Sequence, residues 1–115
     1  MMEDFPTILE SFEVFPGARQ FDFRSTPSTI DGRDVHVTYS YYATTAPTTE
    51  VIAFYQSRYD KYLDEASTQS GFVLRAPGDV ELQVFPSLPA DPSKFDAARL
   101  QPKERTVIVL VRAMG

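Results

Sequence analysis

The stretch Thr106 to Arg112 holds five consecutive apolar residues, Val107-Ile108-Val109-Leu110-Val111, and this run limits what the chain can fold into. Successive side chains of a β-strand point to opposite faces, so a strand that is apolar at every position needs cover on both. Such a strand belongs in the middle of a sheet, with other elements packed above and below it. The rest of the chain has to supply neighbouring strands and cover.

Neighbours are visible as alternating patterns. Phe15-Pro16-Gly17-Ala18 has the form of a type II turn, in which proline pre-sets the first central φ and glycine accepts the positive φ of the second. It launches a strand over 18–25, with Phe21 and Phe23 on one face and Gln20, Asp22 and Arg24 on the other. Residues 33–44 alternate as well, setting Val35, Val37, Tyr39 and Tyr41 against His36, Thr38, Ser40 and Tyr42. The polar stretch Ser25 to Gly32, ending in Asp31-Gly32, reads as a longish loop joining these two strands into an antiparallel hairpin. A second hairpin is expected from Phe72, Leu74 and Ala76, a Pro77-Gly78 turn, and Val80, Leu82 and Val84, with Gly71 just before it.

At Pro47 the period changes from two to 3.6. Val51, Phe54, Tyr55, Tyr59, Tyr62 and Leu63 fall on one face, while Gln56, Asp60, Lys61 and Asp64 face outward. This predicts the main helix, and its apolar face is the natural cover for one side of the sheet. A short helix over 5–12 follows from the spacing of Phe5, Ile8, Leu9 and Phe12, with Pro6 in its first turn. Residues 86–104 carry four prolines and read mostly as loop, with room for a short helix from Asp91-Pro92 to Leu100. The fold class is therefore α+β: one domain over residues 1–115, an antiparallel sheet of about five strands in the order β-β-α-β-β-β, and one main helix packed on one face.

Composition narrows function mainly by exclusion. Apolar residues make up 43% and charged residues 23% of the 115, the usage of an ordinary folded domain. The absence of cysteine removes disulfides, thiolate metal sites and cysteine nucleophiles. Eleven Lys and Arg against sixteen Asp and Glu give a formal charge of -5, with the basic residues scattered, so nucleic acid is not an expected partner. No run approaches the roughly 20 apolar residues that span a bilayer, and Met1-Met2-Glu3-Asp4-Phe5 is unlike a signal segment. Membrane insertion is therefore not expected. The location is cytoplasmic if this N-terminus is native, and the cell envelope if a signal has been trimmed away.

Few residues propose themselves for chemistry. His36 is the single histidine, set on a strand without a nucleophile motif, and it is read as a surface or structural residue. Asp60, Asp64 and Glu65 gather at the end of the main helix, where they face solvent and oppose the helix dipole. The five glycines are spread singly, so no phosphate-cradling loop exists, and neither catalytic residues, a metal site nor a cofactor is expected. The six tyrosines are the better candidates, because tyrosine combines contact area with a polar tip. Tyr55, Tyr59 and Tyr62 on the helix could edge a groove against the sheet, next to Tyr39, Tyr41 and Tyr42 of the preceding strand. His36 joins Tyr42, Tyr55, Tyr59 and Tyr62 among the expected ligand or partner contacts. Tyr42, on the strand face opposite Tyr41, is the expected exposed aromatic contact.

Taken together, "FEVFPGARQF", "YYATTAPTTEVIAFYQSRY" and "TVIVLVRA" resemble a family of small uncharacterised bacterial domains, often found behind lipoprotein or membrane signals. The matching residues are Pro16, Gly17, Ala18, Tyr42, Thr44, Val51, Phe54 and Tyr55, in an order that spans most of the chain. Where such domains often carry an acidic helix cap, Ala46 precedes Pro47 here, and Gly71-Phe72 stands where a tryptophan often follows the helix. The resemblance implies the fold and a bacterial origin, and it carries no activity. The expected role is a non-enzymatic interaction or accessory domain with a protein partner, existing as a monomer or weak homodimer. The alternatives are a small-ligand binder with a tyrosine-edged groove, or an acidic immunity or inhibitor protein.

Overall fold

Thr106–Met114 is the central strand, β5, of a five-stranded antiparallel sheet. The structure, a computed structural model, describes residues 12–63, 72–76, 80–86 and 97–114. The other strands are β1 (Arg19–Ile30), β2 (Arg33–Thr44), β3 (Phe72–Ala76) and β4 (Val80–Pro86), and their order across the sheet is β1-β2-β5-β4-β3. Helix α1 (Thr48–Tyr59) continues as a 3-10 turn over Asp60–Tyr62, and a second such turn spans Ala97–Arg99. The α+β class and the strand and helix order follow the sequence pattern.

The double-sided burial expected of β5 is present. On the helix side, Val51 and Tyr55 of α1 lie against Leu74, Leu82, Val84 and Ile108. On the opposite side, Val107 and Val109 join Phe21, Tyr41 and Ala43, with Leu100 packed alongside. Each fully buried aliphatic side chain of this kind contributes about 1.5–3 kcal/mol relative to exposure. The pleat alone sorts Val107 and Val109 from Ile108 and Leu110, so one sequence run feeds both cores.

The first hairpin departs from the sequence reading. No long loop separates its strands: β1 runs on through Pro27 to Ile30, and only Asp31 and Gly32 make the turn, with φ of 52° and 77°. Two successive positive φ values define a type I′ turn, whose twist matches a hairpin. The polar residues of 25–30 are exposed because they lie on an edge strand, where proline is tolerated. A second departure concerns Phe21 and Phe23. The pairing of β1 with β2 shifts by one residue between Gln20 and Asp22, so Phe21 is an extra residue at a β-bulge. The two phenylalanines therefore part: Phe21 is buried beside Tyr41, whereas Phe23 faces Ser40 and is 55% exposed.

The hand-over into α1 is stitched to β5. The Thr106 hydroxyl donates to the Ala46 carbonyl at 2.8 Å and lies 3.0 Å from the Thr48 hydroxyl. The Thr44 hydroxyl accepts from the Ala46 N–H, and the Arg105 N–H donates to the Thr44 carbonyl at 2.8 Å. Pro47, with φ of -62°, enters the helix without a side-chain cap. The α-helical part ends at Asp60, where a carboxylate opposes the negative end of the dipole and the chain tightens into 3-10 form. Asp64, Glu65, Gly71, the Pro77-Gly78 turn, the segment before Phe12 and the stretch from Asp91 to Asp96 lie outside the described residues.

Candidate functional site

The tyrosine stripe holds the chain's own backbone. Tyr55 is fully buried, and its hydroxyl donates to the Glu13 carbonyl at 2.7 Å. The Tyr59 hydroxyl accepts from the Glu13 N–H at 3.1 Å, so two tyrosines one helical turn apart clasp both polar groups of one residue. Phe12 fills the space beside them, with its ring edge-on to Tyr59 at 5.1 Å and to Tyr62 at 5.9 Å. Phe15 meets Phe54 in the same geometry at 5.1 Å. The groove imagined between helix and sheet is thus occupied by residues 12–15, which then turn through Pro16 and Gly17 (φ 84°) into β1, closed by the Ala18 N–H to the Phe15 carbonyl. Burial raises the Tyr55 phenol well above its ordinary value of 10.0. Tyr62 is half-buried, with the Lys61 ammonium 5.0 Å from its ring centre.

Tyr42 is half-buried and packs against the helix-side core, since the face opposite Tyr41 is the one that α1 covers. The open aromatic on this side of the hairpin is Phe23, which the sequence pattern had placed inward. Nothing in the sequence marks the bulge that separates it from Phe21; the one available signal was Pro27, which announces an edge strand.

His36 is exposed, at the far end of β2, where it borders a cavity of about 370 Å³ with Pro27, Thr29 and the likewise exposed Asp34. The buried carboxylate among the described residues is Glu104, at the other end of the hairpin. It accepts from Arg19 at 2.7 Å and from the Gln101 N–H at 2.7 Å. Those bonds hold it below its ordinary pKa of 4.5, with the Arg19 hydrogen bond the largest cause. Arg19 pairs across to Ala43, seven residues along β2 from His36, a separation of roughly 24 Å. Histidine and buried acid are too far apart to act together. Among the described residues, no cluster of three His, Asp or Glu side chains is arranged to hold a metal, and no helix is long and apolar enough to cross a membrane.

A second cavity, of about 350 Å³, contains no tyrosine, and its charged groups, Arg75 and Glu81, are paired with each other at 2.9 Å. The sheet edges remain. The outer side of β3 is partly covered, because Leu63 makes an antiparallel bridge to Leu74. Among the described residues, no strand pairs with the outer side of β1. The two-residue turn makes Ile30 and Arg33 a hydrogen-bonded pair, and alternation then directs the backbone groups of Phe23, Ser25, Pro27 and Thr29 away from β2. The Phe23 N–H indeed bonds elsewhere, to the Asp22 carboxylate at 2.9 Å. That carboxylate also meets Arg24 and Arg99, both at 3.4 Å. Phe23 is the exposed large hydrophobic side chain among the described residues, and it stands on this open edge.

No protein-family model, curated protein or solved structure matches the chain.

Proposed function

We propose that this chain is a non-enzymatic interaction domain that receives a protein partner by strand addition along the outer edge of β1, which no described strand pairs with. The observation that carries the reading is the exposed Phe23 among outward-facing backbone groups on a twelve-residue edge strand. In this mode of recognition the main chain supplies hydrogen bonds and neighbouring side chains supply selectivity. Long edges are normally guarded, and here the guards are local: Asp22 occupies the Phe23 N–H, and Pro27 has none to offer. The distance between His36 and Glu104 speaks for a non-enzymatic role, and the filled tyrosine groove weighs against a small-ligand site. Membership of the small bacterial domain family resembled by the sequence belongs to the same proposal.

Ser25→Pro tests the reading. Ser25 sits opposite Thr38 with its N–H directed outward, as at Pro27, so proline there blocks the edge without breaking a bond to β2. The immobilised chain is exposed to a lysate of the source cells. A protein, further copies of this chain included, should be retained by the native sequence and lost with Ser25→Pro at an unchanged melting temperature. No retention above background, or retention that Ser25→Pro leaves intact, would overturn the reading.

A further inference from the structure

Resting on that edge reading, we propose that the strand added to β1 is β1 of a second copy of this chain, antiparallel about a two-fold axis at Phe23. A two-fold contact demands a self-complementary surface, which restricts the possible registers. With Phe23 facing Phe23 of the second copy, Asp22 stands opposite Arg24 of that copy and Arg24 opposite its Asp22. Four charges then alternate around the axis, and the two exposed phenylalanine rings cover each other. Shifting the axis by one residue either way sets Asp22 against Asp22 or Arg24 against Arg24, which cross-strand pairing disfavours. Moving it to Ser25 sets Arg24 opposite Thr26 and Asp22 opposite Ser28, with no compensating charge. Charge complementarity therefore selects the Phe23 axis.

The same register explains how the edge guard is released. The Phe23 N–H leaves the Asp22 carboxylate, now 2.9 Å away, for the Phe23 carbonyl of the second copy. The freed carboxylate takes Arg24 of that copy. Arg24 is accessible for this exchange: its side chain is 51% exposed, and its own contacts are a 3.4 Å approach to Asp22 and a guanidinium 5.3 Å from the Tyr41 ring centre. The ladder is short on both sides, because Ser25 meets the bulge at Phe21 and Pro27 lacks an N–H. The product is a closed, weak dimer with a continuous ten-stranded sheet, and no further edge of this type is left to propagate.

The chain has no cysteine, so one introduced thiol reports the axis without ambiguity. In an antiparallel hydrogen-bonded pair the Cα atoms are about 5.5 Å apart, within disulfide range. Under mild oxidation Phe23→Cys should cross-link into dimers, whereas Ser25→Cys should not, since its two copies sit about 14 Å apart in this register. Sedimentation equilibrium should show self-association of the native chain, weakened about tenfold by Arg24→Asp, which sets like charges opposite each other twice. Cross-linking at Ser25→Cys as fast as at Phe23→Cys, or self-association unchanged by Arg24→Asp, would overturn the proposal. So would a native chain that is monomeric up to millimolar concentration. If that monomer still loses retention of a different protein on Ser25→Pro, the edge reading stands and only the second copy is removed as its occupant.

Discussion

Tyr55→Phe deletes one oxygen from a side chain that is fully buried and leaves its packing in place. The oxygen donates to the Glu13 carbonyl at 2.7 Å, so the change removes a single neutral hydrogen bond. Such bonds contribute about 1 kcal/mol net, because the unfolded chain bonds to water instead. Glu13 is exposed, so water can reach its carbonyl in the variant and the deficit should stay near that figure. For a chain of this length, it corresponds to a melting temperature lowered by about 4 °C. Tyr59→Phe removes the acceptor for the Glu13 N–H in a more exposed setting, and about 0.5 kcal/mol is expected. The two hydroxyls hold one residue, so the double variant should lose less than the sum of the singles. Urea melts of the four proteins give all these values. Alkali supplies a second readout, because burial raises the Tyr55 phenol above 10.0. A phenol that ionises more readily unfolded than folded stabilises the fold below pH 10 and loses that contribution as pH climbs further. The deficit of Tyr55→Phe should therefore shrink above pH 10. If the stripe were a binding surface maintained at the expense of stability, Tyr55→Phe would be neutral or stabilising, and a urea midpoint equal to the native one would refute the clasp.

Glu104→Gln should destabilise the chain by about 1–2 kcal/mol near neutral pH by breaking the charged bond to Arg19. Since the native carboxyl is held below 4.5, its contribution is present above that pH and fades as pH falls past it. The gap between variant and native chain should narrow progressively in acid melts below pH 4.5, and a gap that does not narrow at all below that pH would contradict the assignment. Gly32→Ala meets no steric obstacle, with nothing within 4 Å of an added Cβ, yet φ is 77°. The cost is then purely conformational, about 1 kcal/mol in a urea melt, and no loss at all would argue against the type I′ turn.

The parts of this fold that sequence reasoning found are those governed by side-chain periodicity. The run Val107 to Val111 placed the central strand, and the change of period at Pro47 placed the helix, because burial is what periodicity encodes. Ser25 to Ile30 reads as loop in the sequence for the same reason. An edge strand extending beyond both cores has no face to bury, so its side chains carry no alternation, and only register and a two-residue turn make it a strand. The bulge at Phe21 is likewise invisible. One inserted residue reverses every later side chain of β1, and local composition is the same with or without it.

The candidate site was hidden by this same slip in register. Read without the bulge, Phe21 and Phe23 share an inward face, and the open aromatic has to be sought elsewhere; Tyr42 was the natural choice. With the bulge, Phe21 alone joins Tyr41 and Val109, while Phe23 crosses to the other face beyond the cover of α1. A one-residue insertion thus completes one core and leaves one phenylalanine in water at the sheet edge. Asp22, between them, is held by Arg24 and Arg99 and caps the N–H that the edge would otherwise present. An edge that carried only a guard would need no exposed ring, and a ring serving only packing would need no guard. On the proposed reading, Phe23 and Asp22 together keep the edge closed until a strand of matching charge arrives, which is the condition that Arg24→Asp abolishes.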